Sequence, residues 1–474
     1  MSKKIKYTID DIKKIDLTTG NLFKKMGLFS IPFSLTSIIS LLNSTITLIF
    51  IKFFGEGPTS SSAVSSTSTL ILLTTVLFTY ISSGVSILIS NNIGSGNTTF
   101  AKKIMHTSLL LAAIFGIFVL IFGYFMTPYL LSWIGTNDAY LEDASLYMRV
   151  YFLSFPLVII YTYITRFFQA MGDSRTPFLI LLGSLLTNIL FSFIFIYFAK
   201  LNVLGLSLSY VISNLIAVIT ILILLVKNKK YDLNLSIKEL RFDKEAFINI
   251  IKIGLPLGLQ RLIFAIPGFF IQSALYQITG SDVNMLNGAI AGGTIANYLF
   301  CIVEGITESV LTMSALNHGA KKKENIKKFI RYGFYWSLII NCLCSLIVLF
   351  AYRPLLMLFV NDEASIQAGK ERMWIMTFTY IFCSIADIFA NTLKGLKHPT
   401  SMLITSFISY CLFRILYVQF IVKQISIFQT IYCLYLNYGL SWVISSILNI
   451  ICFIVIAKKD FKKMEEEIQQ EATI

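Results

Sequence analysis

Five ionisable residues stand out in a chain of 474 residues that is 56% hydrophobic and only 14% charged. Arg261, Glu304, Glu308, Asp387 and Arg414 each fall inside a long apolar run. A charge at mid-bilayer depth costs at least about 2.5–3.5 kcal/mol on insertion scales, so such a residue faces a cavity or a partner. Glu304 and Glu308 are four residues apart and therefore share one helix face. Two carboxylates that close, in low dielectric, compete for ionisation. A carboxylate poised to take up a proton is what a proton-coupled carrier needs. Asp387 has Asn391 one turn further on. Asp387, Glu304 and Glu308 are thus the candidate cation-coupling set. Arg261 and Arg414 have two readings, as static partners of these acids or as cavity ligands. Three acids against two bases leave one carboxylate unpaired or protonated.

These residues need elements that place them in a membrane. The charged fraction is well below the roughly 25% of soluble domains, and runs of 20 or more apolar residues recur throughout, each long enough to span about 30 Å as a helix. Twelve apolar windows between residues 26 and 457 predict an all-α polytopic membrane protein. The even-numbered loops and both termini carry most of the Lys and Arg outside the windows. That bias predicts a multi-pass cell-membrane protein with both termini cytoplasmic. It also turns the net charge of +14 into a topology signal, with the lipid bilayer as partner and no nucleic acid. All seven cysteines lie between Cys301 and Cys452, without CxxC spacing, and read as free thiols in apolar surroundings.

The second half of the chain repeats the first. Pro32 falls on Pro256, Asn92 and Gly94 on Asn317 and Gly319, Pro128 on Pro354, and Asn137-Asp138 on Asn361-Asp362. "QAMGDSRTP" (169–177) has a cousin in "TLKGLKHP" (392–399), so that Gly172 and Pro177 fall on Gly395 and Pro399. The expected organisation is a cytoplasmic tail at 1–25, a six-helix lobe at 26–226, a flexible cytoplasmic linker at 227–247, a second six-helix lobe at 248–457 and a solvated tail at 458–474. Six spans per repeat make the repeats parallel, and two such lobes around a central cavity suit alternating access. "QAMGDSRTP" reads as a cytoplasmic hinge: Gly172 for the tight turn, Asp173 with Ser174 for the helix cap, Pro177 for the first helical turn. Arg175 is a candidate for an ion pair at a gate.

Several stretches resemble the multidrug and toxic compound extrusion (MATE) family. "FFQAMGDSRTPFLI" is similar to the family's turn between helices four and five. "IKIGLPLGLQ" (251–260) is similar to the start of its seventh helix, and "MSALNHGAKKKENIKKF" (313–329) to its loop after helix eight. "CSIADIFANTLKGLKHPTSMLITSFISYCLFRI" (383–415) is similar to helices ten and eleven, with the Asp and the later Arg. The resemblance covers about residues 25 to 457. It implies a secondary antiporter that exports amphipathic organic compounds against inward H⁺ or Na⁺. Many bacterial members carry an Asp in the first helix. Here "NSTITLIFI" (43–51) has no acid, and neither does "LTNILFSFIF" (186–195) in the fifth. Coupling is therefore expected in the C-terminal half.

The N-terminal half offers only neutral polar groups at depth, among them Asn43, Thr47 and Asn188. With 40 Phe, 23 Tyr and 13 Met, the chain has ample adaptable apolar surface for amphiphiles. Tyr298, Tyr380, Gln272, Asn188 and Asn391 are cavity candidates beside the two arginines. Enzymatic readings find no support. The three histidines, His106, His318 and His398, lie in or beside loops without metal-ligand spacing, and "GSGN" (94–97) lacks the Lys and Ser/Thr of a phosphate loop. The expectation is no cofactor, no metal, a small organic substrate and a monomer. Two other readings exist: a flippase for lipid-linked saccharides, whose relatives often add two spans and cationic cavity linings, and a membrane scaffold or sensor that does not transport.

Overall fold

An apolar run in lipid has no solvent to take its backbone N–H and C=O groups, and a helix satisfies them within one segment. The computed structural model describes residues 17–54, 58–228, 233–280 and 282–472. Among them are twelve helices long and apolar enough to cross a membrane. In chain order they are α1 (Leu22–Phe54), α2 (Pro58–Gly94), α3 (Thr98–Trp133), α4 (Asp138–Ala170), α5 (Arg175–Phe193), α6 (Asn202–Val226), α7 (Lys244–Thr279), α8 (Val283–Gly319), α9 (Lys323–Met357), α10 (Glu363–Gly395), α11 (Pro399–Val422) and α12 (Ile431–Ala472). α5 runs on as a π-helical turn at Ile194–Phe198. Caps recur at matching places: Asn137 accepts from Ala139 N to start α4, and Asp362 accepts from Ser365 N to start α10.

The helices form two compact units. The first holds Ile38–Gly258 and the second holds Leu259 onward together with the start of α1 up to Ser37. The units therefore differ from the halves 26–226 and 248–457 read from the sequence. α1 and α7 head the two repeats, and each changes unit along its length, at points 221 residues apart (258 minus 37). Close backbone approach fixes both. A Cβ on Gly305 of α8 would sit 2.1 Å from Ser34 Oγ of α1, and one on Gly84 of α2 would sit 2.6 Å from Gly254 Cα of α7.

In the first unit, the part of the linker that follows Asp232 is docked, in contrast to the free tether expected. Leu233 is buried, Ser236 N donates to His106 Nε2, and Lys102 and Lys103 of α3 pair with Glu239 and Asp243 at 2.5 and 3.1 Å. The hydrogen bond from Lys102 holds the Glu239 carboxyl below its usual range. The Ala246 N–H and then Lys103 do the same for Asp243. A carboxylate lowered in the folded state contributes above its unfolded pKa and loses that contribution as pH falls through the folded value. A nitroxide label at position 238 is thus expected to stay immobile down to about pH 5 and to mobilise below about pH 4. Unchanged label mobility across that range rules out the two ion pairs as the linker's anchor.

In the second unit the described parts of both terminal segments, residues 17–25 and 458–472, are packed against the helices; residues 1–16 of the expected N-terminal tail lie outside the described residues. Asn317 Nδ2 donates to Leu17 O, Asn325 Nδ2 donates to Thr18 O, and Phe23 stacks on Trp336 at 4.9 Å. α12 continues as a helix through the stretch expected to be solvated. Its Met464 and Ala457 bury against Ile326 and Leu396. Its Glu465 and Glu467 pair with Lys323 and Lys321, and Asp460 Oδ2 lies 3.0 Å from His398 and 4.0 Å from His318. The signal was present in "KKDFKKMEEEIQQ", where Phe461 and Met464 are three residues apart on a strongly charged helix.

Candidate ion and substrate site

Three helices of the second unit, α7, α8 and α10, carry its deep acids together with Arg261 and Lys394. On α8, Glu304 and Glu308 lie one turn apart, both half-buried. Arg261 of α7 reaches Glu304 with Nη2 to Oε1 at 3.4 Å, and its guanidinium lies 5.5 Å from the Phe264 ring. The pair is partly accessible, with 32% and 24% of the two side chains exposed, so it is a loose contact that can open without stranding a buried charge. On α10, Asp387 takes a long contact from Cys383 Sγ, 3.7 Å to Oδ2. Lys394, Arg261 and Glu304 are the charged groups that act on it. Asn391 lies one turn on, fully buried, donating to Thr307 O of α8 at 2.7 Å and accepting from Lys394 Nζ at 2.9 Å.

Lys394 is the residue that the sequence reading left out. It is only 7% exposed, and with it the buried set holds three acids and three bases, which removes the inference that one carboxylate is left over. From the sequence Lys394 falls in the turn stretch "TLKGLKHP" (392–399) rather than in an apolar run. Its spacing from Asp387 and Asn391, seven and three residues, is the signal that would have found it.

Arg414 of α11 stands apart from the acids. It is 5% exposed, its Nε donates to Ser441 Oγ at 2.9 Å, and Tyr438 and Tyr410 lie 4.3 and 5.0 Å from the guanidinium carbon. Elsewhere on α11, Ser406 Oγ accepts from Gln260 Nε2 of α7. Tyr380, expected to line a cavity, is a core residue instead. It is 1% exposed, donates to Ala296 O at 2.9 Å and packs on Phe300 and Trp442. Tyr298 and Gln272 are half-buried on α8 and α7.

The first unit holds an uncharged polar group that joins α5 to α1. Asn188 Nδ2 of α5 donates to Asn43 Oδ1 of α1 at 2.8 Å, and Ser192 Oγ donates to Asn188 Oδ1 at 3.4 Å. Such a group can bind a ligand's polar atoms but cannot change charge. Among the described residues no three His, Cys, Asp or Glu side chains converge at metal-ligating range.

The turn after α4 closes as expected, with one difference. Gly172 has φ 81°, and Asp173 caps α5 by accepting from Arg175 N, Thr176 N and Thr176 Oγ1, whereas Ser174 supplies no side-chain cap bond. Pro177 is buried within the first turn of α5, and its carbonyl accepts from Tyr161. Arg175 makes no ion pair among the described residues. The counterpart of Gly172 is not Gly395 but Lys397, with φ 66° and the same turn: Lys397 N donates to Lys394 O as Gly172 N donates to Gln169 O. Gly395 serves packing, since a Cβ there would lie 2.9 Å from Ala315 N. Pro399 opens α11 at its first position.

Comparison with known proteins agrees with this architecture. The MatE family profile matches twice, at residues 32–194 and 256–418, together well over half of the chain and displaced by 224 residues (256 minus 32), within the repeat offset read from the sequence. The chain is 23% identical over 382 residues to "Probable multidrug resistance protein YoeA" of Bacillus subtilis, covering 79% of this chain and 81% of that protein. It is 25% identical over 385 residues to "Multidrug export protein MepA" of Staphylococcus saprophyticus, covering 79% and 82%. The fold is similar to a crystal structure of MATE in complex with MaL6, with a TM-score of 0.85 over 96% of this chain and 98% of that one at 17% identity. With both repeats matching one profile, this twelve-helix, two-unit membrane protein belongs to the MatE family, that of multidrug and toxic compound extrusion transporters.

Proposed function

We propose that the protein is a secondary antiporter that exports amphipathic organic compounds in exchange for H⁺ or Na⁺, by alternating access of its two units, with both termini in the cytoplasm. The observation that carries this reading is the clustering of every deep carboxylate in the second unit, with Asp387 beside a pair, Arg261 and Glu304, that is loose enough to exchange partners. The names of the relatives from Bacillus subtilis and Staphylococcus saprophyticus, a multidrug resistance protein and a multidrug export protein, point to the same substrate class. The Lys- and Arg-rich loops supply the orientation. Asp387 is the residue that takes and releases the coupling ion. Glu304 and Glu308 support it, and the Asn43–Asn188 group in the first unit is a neutral contact for substrate.

The test is dye export from inside-out membrane vesicles that contain the protein, under an imposed H⁺ or Na⁺ gradient. Export above that of vesicles without the protein, dependent on one gradient and abolished by its collapse, is the expected result. Export that survives collapse of both gradients contradicts coupled antiport. No export under either gradient favours the scaffold or sensor reading.

A further inference from the structure

We propose that Arg414 is a docking point for an anionic group on the transported compound, so that the protein favours zwitterionic or anionic amphiphiles over simple cations. This rests on the transport reading and names its substrate class. Four observations lead to it. First, Arg414 is 95% removed from solvent and has no carboxylate partner among the described residues, while Arg261 has Glu304 and Lys394 has Asn391. Tyr438, Tyr410 and Cys383 act on the Arg414 charge. A membrane charge without a counter-ion marks a functional position.

Second, two of the three guanidinium nitrogens are uncommitted. Tyrosine rings attend it at 4.3 and 5.0 Å and its Nε is spent on Ser441, while Nη1 and Nη2 form no hydrogen bond among the described residues. Those two nitrogens are the planar fork that matches a carboxylate or sulfonate bidentately. Third, Arg414 occupies a four-residue α turn, Phe413–Leu416, between two π-helical segments, Phe407–Leu412 and Tyr417–Val422. π segments are rare and concentrate at functional sites, because the extra residue re-aims side chains at the cost of helix regularity. Tyr410 comes from the first of these segments. Fourth, the side chains in contact with the guanidinium are neutral: Ser441 accepts from it, and Tyr438 and Tyr410 flank it. Asp387, which acts on Tyr410 and Cys383, makes no ion pair with Arg414 among the described residues.

A matched pair of xanthene dyes tests the idea: the free carboxylate, and its methyl ester as the cationic control. Binding to purified full-length protein is followed by fluorescence polarisation. The wild type is expected to bind the carboxylate about tenfold tighter than the ester. Arg414→Gln should bring that ratio to about one while keeping ester affinity, and Arg414→Lys should retain part of it, since Lys is a point charge without the fork. Ser441→Ala and Tyr438→Leu, which leave the charge in place, are expected to shrink the ratio severalfold and keep the test decisive if Arg414→Gln does not fold. Equal wild-type binding of both dyes, or a ratio that survives Arg414→Gln, overturns the proposal. In gradient-driven vesicles, ester export with no preference for the carboxylate refutes the anion site and leaves the antiport reading standing. Export of neither form refutes both.

Discussion

Asp387→Asn is expected to reduce gradient-driven accumulation of dye by more than tenfold while downhill exchange of dye for dye continues. The amide occupies nearly the same volume as the carboxylate and can keep the contact with Cys383. What it cannot do is alternate between charged and neutral forms, or attract a cation. Losing one coupling step of about 1.4 kcal/mol is a tenfold loss of drive, and removing the carboxylate proposed to carry the ion exceeds that. Glu304→Gln is expected to give a smaller decrease, because it leaves Arg261 to pair with Asp387, whose permanent partner the arginine then becomes. The double change Arg261→Gln with Glu304→Gln should therefore restore part of the Glu304→Gln defect. The assay is proteoliposome uptake with and without a gradient, at matched protein incorporation. Concentrative uptake by Asp387→Asn at the wild-type rate would mean that this aspartate is structural, and a lowered melting temperature would then be its only signature.

How much of this was legible beforehand differs from residue to residue. The repeat offset was visible, because helix starts keep short polar caps at nearly matching places: Asn137 caps α4 and Asp362 caps α10. The turn equivalence failed at one position because glycine was read as the mark of a left-handed residue. In the second repeat that conformation falls on lysines. Lys321 and Lys397, with φ 54° and 66°, stand where the first repeat has Gly96 and Gly172, with φ 76° and 81°. The buried acids were found from their rarity in apolar runs, a one-dimensional signal. Lys394 escaped because burial near a helix end depends on which helix lies opposite. The exchange of α1 and α7 between units escaped for the same reason, since it rests on contacts such as Gly305 with Ser34, about 270 residues apart. Tyr380 was assigned to a cavity on residue type alone, and type does not distinguish a lining tyrosine from one whose hydroxyl is satisfied by a neighbouring helix.

Gly292→Val should prevent the second unit from assembling. In lipid, helices gain little from hydrophobic burial against one another, and close approach through small residues takes its place. α8 carries Gly288 and Gly292 one turn apart, facing Ser365 and Gly369 of α10. A Cβ on Gly288 would lie 2.0 Å from Ser365 O, and one on Gly292 would lie 2.2 Å from Gly369 O. Both obstacles are backbone carbonyls within a helix, so neither can swing aside as a side chain would. Relief requires the two helices to separate. That separation would disturb the bond from Asn391 to Thr307 and the one from Tyr380 to Ala296, both of which tie α10 to α8. Overpacking in well-ordered cores costs about 1–3 kcal/mol; with a rigid obstacle and two dependent hydrogen bonds, a cost at or above the upper end is expected, enough to lower the melting temperature by several degrees or to abolish recovery of folded protein. Gly183→Ala and Gly268→Ala are the controls, since a Cβ at either meets nothing within 4 Å and alanine is the better helix former by about 1 kcal/mol. Both should melt at or above the wild-type temperature in detergent. If Gly292→Val melts with them, α8 and α10 are not held by this contact. The site on α10 would then owe its position to α12 and α9 instead.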